Sequence, residues 1–197
     1  MFADLSRTIH ARMSLVLVSL VAVGGAVTLG LIAGRLVRSG QQNEARIERE
    51  SYIRGVLDYM EGIEQGDTLP DYRFESLDRE MLSLRSLVQR RSLLLFFDYY
   101  CDDCISEIQT ISDRFCKDSV PSQIILISSS NPFRLQDLKK QYNITCRMLY
   151  DEQRWYGRHL NISAYPLNVV VDSDMVVKEL LPVRLAGGEI ERILRPK

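Results

Sequence analysis

The sequence contains few of the residues on which several classes of function depend. Only four of its 197 residues are cysteines, too few for a fold held together by a network of disulfides. The formal net charge is −1 at pH 7, so the basic surface that nucleic-acid binding requires is missing. His10 and His159 have no ligand-type neighbours at metal-site spacing, and neither a metal centre nor a cysteine–histidine nucleophile is indicated. We therefore expect no metal, no cofactor and no nucleic-acid partner.

Two of the four cysteines are only three residues apart. The motif Cys101-Asp102-Asp103-Cys104 follows the apolar run 93–97 and precedes a stretch with helical periodicity. A thiol at the start of a helix lies at the positive end of the helix dipole, which stabilises its thiolate. The second thiol, one turn later, can attack a mixed disulfide formed by the first. The spacing predicts a dithiol–disulfide couple.

A long hydrophobic run lies near the start of the chain. Residues 13–34 carry no charged side chain and are bracketed by Arg12 and Arg35. About 20 residues are enough to cross a bilayer as a helix. A cleaved signal peptide is the alternative, but its apolar core usually spans only about 7–15 residues. The sequence favours a short tail, residues 1–12, and a single-pass anchor in the inner membrane that contacts lipid through residues 13–34.

The orientation of this anchor is indicated differently by charge and by chemistry. More arginines follow the run closely than precede it, which by the positive-inside rule favours a cytoplasmic C-terminal part. That part, however, contains Cys101 and Cys104, and a tethered dithiol is most useful outside the reducing cytosol. The chemistry therefore favours an extracytoplasmic, periplasmic location, and the conflict stays open at the level of sequence.

The rest of the chain divides into a helical spacer and one domain. Residues 35–65 are highly charged, with apolar residues at three- and four-residue spacing, which predicts a spacer helix or a partner surface. Residues 66–197 begin with a short hairpin over 72–84 and then alternate apolar runs with helical patterns. The predicted strands are 92–97, 123–128, 147–150, 167–171 and 176–180, and the predicted helices are 104–115, 132–142, 152–159 and 189–194. This order predicts an α/β domain with a mostly parallel sheet covered by helices on both faces.

The motifs from Gly66 to Leu194 resemble the membrane-anchored thioredoxin-like redoxins of the TlpA/ResA family. The resemblance rests on the buried strand before the cysteine pair, on the strand after it, and on Tyr165-Pro166 before the apolar run 168–171. It implies a thioredoxin-like fold with a mixed sheet and thiol–disulfide oxidoreductase activity. Cys101 would attack a target disulfide and Cys104 would resolve the intermediate. It also implies protein disulfides as substrates and a membrane electron donor that re-reduces the pair.

Further site residues follow from the resemblance. Pro166 matches a proline that is cis in such proteins and lies beside the dithiol, where it would expose the backbone of Tyr165 to an extended substrate segment. Tyr100 replaces the tryptophan usual before the first cysteine. Glu107 matches a carboxylate that exchanges a proton with Cys104. For Glu107, a solvated helix residue is an equally weighted alternative.

The two residues between the cysteines depart from the family pattern, and the other two cysteines remain to be placed. Both residues between the cysteines are Asp, where such proteins usually have a pair that contains proline. Two carboxylates raise the pKa of a neighbouring thiol, an effect that the helix N-terminus partly offsets, so we expect a couple that leans towards reduction. Cys116 and Cys146 are interpreted as independent thiols in preference to a structural disulfide.

Two other functions fit less of the sequence. A peroxide-reducing redoxin would need threonine three residues before the reactive cysteine and a proline nearby, whereas Asp98 occupies that position and no proline is near. A redox-slow thioredoxin-fold subunit of a membrane complex is the alternative from a different class. The Asp102-Asp103 pair and the helical pattern at 53–63 suggest it.

Overall fold

A computed structural model describes residues 34–58, 62–116, 123–162 and 164–195. The predicted tail and all but the last residue of the predicted anchor, 13–34, lie outside these ranges. Among the described residues, no helix is both long and apolar enough to cross a membrane. The chain divides into two compact units, Met1–Ser51 and Tyr52–Lys197. The assignment of 35–65 as a spacer and of 66–197 as the domain stays a prediction.

Helix α1 covers residues 34–58. In the first unit its side chains are almost all exposed. In the second unit Val56 and Leu57 are half-buried and pack against a hydrophobic cluster of the domain. Together with the half-buried Ile53, they give the three- and four-residue spacing of an amphipathic face.

The second unit contains the remaining described elements. They are β1 Arg73–Ser76, β2 Met81–Ser83, α2 Leu84–Leu87, β3 Ser92–Phe96, α3 Asp102–Phe115, β4 Ile124–Ser128, α4 Pro132–Gln141, β5 Arg147–Tyr150, α5 Trp155–His159, β6 Leu167–Val171, β7 Val177–Leu181 and α6 Gly187–Leu194. Strands β5 and β6 have the predicted bounds. Helix α5 begins at Trp155 and not at the predicted residue 152, because Arg154 has a left-handed backbone with φ 52°, which cannot continue a right-handed helix.

The described strands form one mixed sheet in the order β2-β1-β5-β4-β3-β6-β7. Only the pairings β3–β4 and β4–β5 are parallel. The pairings β1–β2, β1–β5, β3–β6 and β6–β7 are antiparallel. A mixed α/β sheet is confirmed, but the prediction that it is mostly parallel is wrong. The prediction failed because hairpins add antiparallel strands at both edges of the sheet. In addition, β6 pairs with β3 in the opposite direction after the chain leaves α5.

Strand β3 lies between two hydrophobic clusters. Leu93 and Leu95 pack with buried side chains of α3, α4 and α6, whereas Leu94 and Phe96 pack with those of α2 and α5 on the other face. The alternation follows from the two-residue repeat of a strand. Helices therefore cover both faces, as predicted, and α3 is fixed with its first turn beyond the carboxyl end of β3.

The segment before β1 runs along the outer side of the β7 edge. The amide of Gly66 donates to the carbonyl of Val177 at 2.9 Å, and the amide of Val177 donates to the carbonyl of Asp67 at 2.8 Å. Gly66 has φ 102°, a conformation that residues with a side chain rarely adopt. These bonds satisfy backbone groups that an edge strand would otherwise leave open.

Candidate active site

The cysteine pair lies at the amino-terminal end of α3. Cys101 is the N-cap residue, with extended backbone, and its sulfur accepts a hydrogen bond of 3.1 Å from the amide of Cys104. The two residues form a disulfide, with Cα atoms 5.2 Å apart. Cys101 is half-buried, whereas Cys104 is completely buried. Of the two, Cys101 is therefore the one that a target molecule can reach.

The first turn of α3 carries two exposed carboxylates, those of Asp102 and Asp103. At the positive end of the helix dipole, each stabilises the helix by about 0.3–1 kcal/mol. The same negative charges oppose a thiolate on Cys101, although solvent and salt screen exposed charges. The turn thus supports the helix that holds the sulfur atoms, while its negative charges partly offset the stabilisation that the helix end gives to a Cys101 thiolate.

Asp98, three residues before Cys101, is bound into the turn that leads to α3. Its Oδ1 accepts a hydrogen bond of 2.8 Å from the amide of Tyr100, and its Oδ2 accepts one of 3.3 Å from the hydroxyl of Ser130. A carboxylate at this position accepts hydrogen bonds and carries negative charge. It does not supply the hydroxyl donor that a peroxide-reducing site would have there.

Exposed aromatic rings and a proline border the cysteine pair. Tyr100 is 73% exposed, and the guanidinium of Arg134 lies 5.3 Å from the centroids of the Tyr99 and Tyr100 rings, within cation–π range. The Tyr165–Pro166 peptide bond is cis, as the family resemblance implied, and Tyr165 is 39% exposed. The substrate-binding roles of Tyr100, Tyr165 and Pro166 stay predictions.

The register of the sheet places this proline at the same end as the cysteine pair. Leu167, the first residue of β6, lies opposite Phe96, the last residue of β3. Pro166 therefore lies beside the point where the chain leaves β3 for the turn that leads to Cys101. A segment docked along Tyr165 would pass this end of the sheet.

Glu107 is completely buried. It follows Cys104 by one turn, so both side chains lie on the same face of α3. Its Oε2 accepts a hydrogen bond of 3.4 Å from Nδ2 of Asn168, whereas its Oε1 makes no hydrogen bond with the described residues. Burial raises the pKa of Glu107 to about 8, against the lowering effects of the Leu185 amide, Asn168 and Arg184. The solvated alternative is therefore wrong, and in this disulfide-bonded form the carboxyl group is mostly neutral at pH 7.

Asn168 is a site residue that the sequence analysis missed. It is the second residue of β6, lies opposite Leu95 in β3 and is completely buried. Its Nδ2 also donates to the carbonyl of Val183 at 3.0 Å, while its Oδ1 makes no hydrogen bond with the described residues. The sequence does contain a signal for this residue, because Asn168 is a polar residue inside an apolar strand, two residues after Pro166. A buried amide needs polar partners, so such a position indicates a polar contact in the interior.

Cys116 and Cys146 form a second disulfide, so their interpretation as independent thiols is wrong. Cys116 ends α3 and Cys146 precedes β5, with Cα atoms 5.1 Å apart, a distance typical of a bridge. Both residues are only 2% exposed. Because the bridge lies at the opposite end of α3 from the dithiol, it is a structural crosslink. In the part of the chain that is described, no group of three or more His, Cys, Asp or Glu side chains could hold a metal ion.

Together, the fold and the site define a class of protein. A dithiol begins a helix after a central strand, a proline loop lies at the same end of the sheet, and a buried acid follows the second cysteine. This is a thiol–disulfide oxidoreductase with the thioredoxin fold. The chain belongs to the AhpC/TSA family, whose model matches residues 65–180.

Known relatives are similar at low identity. Thioredoxin-like protein YneN of Bacillus subtilis (strain 168) is 20% identical over 138 residues, which are 68% of this chain and 80% of that protein. A thiol:disulfide interchange protein from Chlorobium tepidum TLS superposes with a TM-score of 0.57 at 18% identity, covering 67% of this chain and 96% of that one. Peroxidoxin BcpB from Mycobacterium tuberculosis gives 0.56 at 15% identity, covering 67% and 94%. These structures share the fold, so the substrate has to be argued from the site.

Proposed function

We propose that the protein is a membrane-tethered reductase of disulfides in extracytoplasmic proteins, acting through its Cys-Asp-Asp-Cys pair. The observation that carries this proposal is the asymmetry of the pair. Cys101 is accessible at a helix N-terminus, whereas Cys104 is buried one turn before the buried acid Glu107. An accessible nucleophile with a shielded resolving thiol is the arrangement that two-step disulfide exchange requires.

The reaction proceeds in two exchanges. The thiolate of Cys101 attacks one sulfur of a target disulfide, and the other target sulfur leaves as a thiolate that takes a proton from water. The thiol of Cys104 then gives its proton to the carboxylate form of Glu107 and attacks the sulfur of Cys101. The second target sulfur leaves as a thiolate, which takes a proton from water. The target gains two electrons and the pair is oxidised to the disulfide. A membrane dithiol donor restores the reduced form by the reverse exchange.

One observation supports a location outside the cytoplasm, and a second supports the membrane tether. The buried bridge between Cys116 and Cys146 is of the structural kind that persists in oxidising compartments. The charge-free run 13–34 is long enough to serve as the anchor. A membrane-impermeant maleimide should label reduced Cys101 in intact spheroplasts. Labelling only after lysis would place the domain in the cytosol and contradict this part of the proposal.

The activity is tested by reduction of insulin with the full-length chain and a dithiol donor. We expect Cys101→Ser to abolish turnover and Cys104→Ser to accumulate mixed disulfides with targets, because attack survives while resolution is blocked. The matched control is the double variant Cys116→Ser/Cys146→Ser, assayed at a temperature where it is folded, which should retain turnover. Suppose that the wild-type protein does not reduce insulin and that the Cys104→Ser variant forms no adducts. That result would favour the alternative, a redox-slow thioredoxin-fold subunit of a membrane complex.

A further inference from the structure

Glu107 and Asn168 are in contact inside the domain. Proton exchange by Glu107 alone does not explain how the hydrogen bonds are distributed over the oxygens of these two side chains. Each side chain has one oxygen without a hydrogen bond to the described residues, Oε1 of Glu107 and Oδ1 of Asn168. The amide nitrogen of Asn168 donates to Oε2 of Glu107 at 3.4 Å and to the carbonyl of Val183 at 3.0 Å. The two carboxyl oxygens of Glu107 are thus not equivalent. The backbone amide of Leu185 also favours the carboxylate, so Asn168 is the side-chain partner of the group and not its only polar neighbour.

We propose that Asn168 is a positioning residue of this oxidoreductase, which holds Oε2 of Glu107 and thereby leaves Oε1 to exchange the proton with the thiol of Cys104. The proposal rests on the proposed function, because it concerns the resolving step of that reaction. It adds Asn168, from strand β6, to the residues of the site. It also assigns different roles to the two carboxyl oxygens of Glu107.

The position of Asn168 suits this role because three segments meet there. Glu107 belongs to α3, Asn168 to β6, and Val183 to the connection between β7 and α6. The bond to Val183 and the pairing with Leu95 in the sheet fix the amide independently of α3. Glu107 and Asn168 both have no exposed surface, so bulk water does not replace this hydrogen bond.

The proton balance assigns a state of Glu107 to each form of the protein. During resolution the S–H bond of Cys104 breaks and an O–H bond forms at Oε1, while the new S–S bond to Cys101 displaces the target sulfur with its electron pair. The oxidised protein then holds the proton on the carboxyl group, in agreement with a pKa of about 8. Re-reduction returns the proton to the sulfur of Cys104. Of the other charged groups, Arg184 favours the carboxylate, and Glu189 on α6 opposes it.

The test uses the full-length chain in detergent micelles and two readouts. The first is the infrared carbonyl band of the protonated carboxyl group, followed against pH in the oxidised protein and assigned by its loss in Glu107→Gln. The second is the rate at which a mixed disulfide between Cys101 and thionitrobenzoate is resolved, measured from pH 5 to 9. Asn168→Leu removes the donor and keeps a similar volume.

We expect Asn168→Leu to move the titration of Glu107 to higher pH, because the bond from Asn168 favours the carboxylate. Resolution at pH 7 should slow by about 10-fold, part of the roughly 10²- to 10⁴-fold that a positioned proton acceptor contributes. The control is Ser112→Ala, which removes another hydrogen bond of α3, from the Ser112 hydroxyl to the Tyr142 carbonyl at 2.6 Å. It should lower stability and leave both readouts unchanged.

Two results would overturn the proposal. If Asn168→Leu changes neither readout while Glu107→Gln slows resolution, Asn168 has no positioning role and the proposed function stands. If Glu107→Gln itself leaves the resolution rate unchanged, proton exchange through Glu107 fails, and this proposal fails with it. Asn168→Ala, which removes the donor without adding volume, decides by the same criteria if the leucine variant does not fold.

Discussion

The amide of Cys104 donates a hydrogen bond of 3.1 Å to the sulfur of Cys101, so the reactive residue caps the helix turn that contains the resolving one. When Cys101 is reduced and ionised, this contact becomes a charge-assisted bond, which is stronger than a bond to a neutral sulfur. The same backbone that keeps Cys104 buried thus favours the thiolate of Cys101. The order of reactivity of the two thiols follows from this relationship.

In the reduced protein, iodoacetamide should modify Cys101 at least about 10-fold faster than Cys104, because only Cys101 combines exposure with a stabilised thiolate. Quenching at short times followed by peptide mapping measures the ratio. In Cys101→Ser the remaining thiol should react slowly, since Cys104 is completely buried. Faster labelling of Cys104 would reverse the assignment of nucleophile and resolving thiol.

Replacing Asp102 and Asp103 together by Asn should raise the reduction potential of the pair by roughly 10–40 mV. Each charge at this helix end contributes about 0.3–1 kcal/mol, and for a two-electron couple about 30 mV corresponds to 1.4 kcal/mol. The sign follows because removing negative charge favours the Cys101 thiolate and hence the reduced form. Equilibration with glutathione measures the potential, and Asp113→Asn, exposed near the other end of α3, is the control. An unchanged potential would mean that solvent screens the two aspartates.

The stability of the oxidised protein should fall as pH rises because of Glu107. Between the ordinary pKa of 4.5 and about 8, the folded protein keeps a proton that the unfolded chain has lost. This contribution is complete below pH 4.5 and is lost as pH rises through 8. Glu107→Gln removes it, so from pH 5 to 9 the variant should gain up to about 4 kcal/mol in unfolding free energy relative to wild type. Urea titrations at several pH values test this, and parallel pH profiles would contradict a buried, protonated carboxyl group.

Removing the second disulfide with Cys116→Ala/Cys146→Ala should lower the unfolding free energy by roughly 3–4 kcal/mol. The bridge closes a loop with a sequence separation of 30, and the chain-entropy relation gives this magnitude for such a loop. The control Cys101→Ala/Cys104→Ala opens a bridge with a separation of only 3 and should cost less. Urea unfolding under oxidising conditions provides the comparison. An equal loss in the two variants would show that loop closure does not determine the effect.

Gly62→Ala should destabilise the domain by about 1–3 kcal/mol. A Cβ atom at Gly62 would lie 2.5 Å from the carbonyl carbon of Leu160, and backbone atoms cannot yield as a flexible side chain can. Gly55→Ala is the matched control, because nothing lies within 4 Å of its added Cβ and alanine is the better helix former by about 1 kcal/mol. Thermal unfolding should therefore shift in opposite directions. A neutral Gly62→Ala would mean that the segment can move away from Leu160.

The sequence was most informative where a local pattern determines the structure. The apolar runs predicted β5 and β6 to the residue, and Asn131-Pro132 predicted the start of α4, where Asn131 indeed caps the helix. The cysteine spacing predicted the reactive end of α3. In these segments, hydrophobic periodicity and capping act over a few residues, so tertiary structure does not override them.

The features that the sequence did not predict depend on contacts between distant segments. The bridge from Cys116 to Cys146 forms because the fold brings the end of α3 next to the start of β5, which lies 30 residues further along the chain. The contact between Asn168 and Glu107 needs both the antiparallel position of β6 and the packing of α3. The late start of α5 reflects the left-handed backbone of Arg154, which no periodicity reveals. Register and packing, more than propensity, decide such features.

The two hydrophobic clusters on either side of β3 can change in sequence independently of each other. Leu93 and Leu95 face the layer that contains α3 and its sulfur atoms, whereas Leu94 and Phe96 face a layer formed with α2 and α5. Substitutions that conserve volume in the second layer can repack it at small cost without touching the helix that carries the cysteines. The stability of the domain can therefore be changed through one layer while the packing around the helix that carries the cysteines, in the other layer, stays the same.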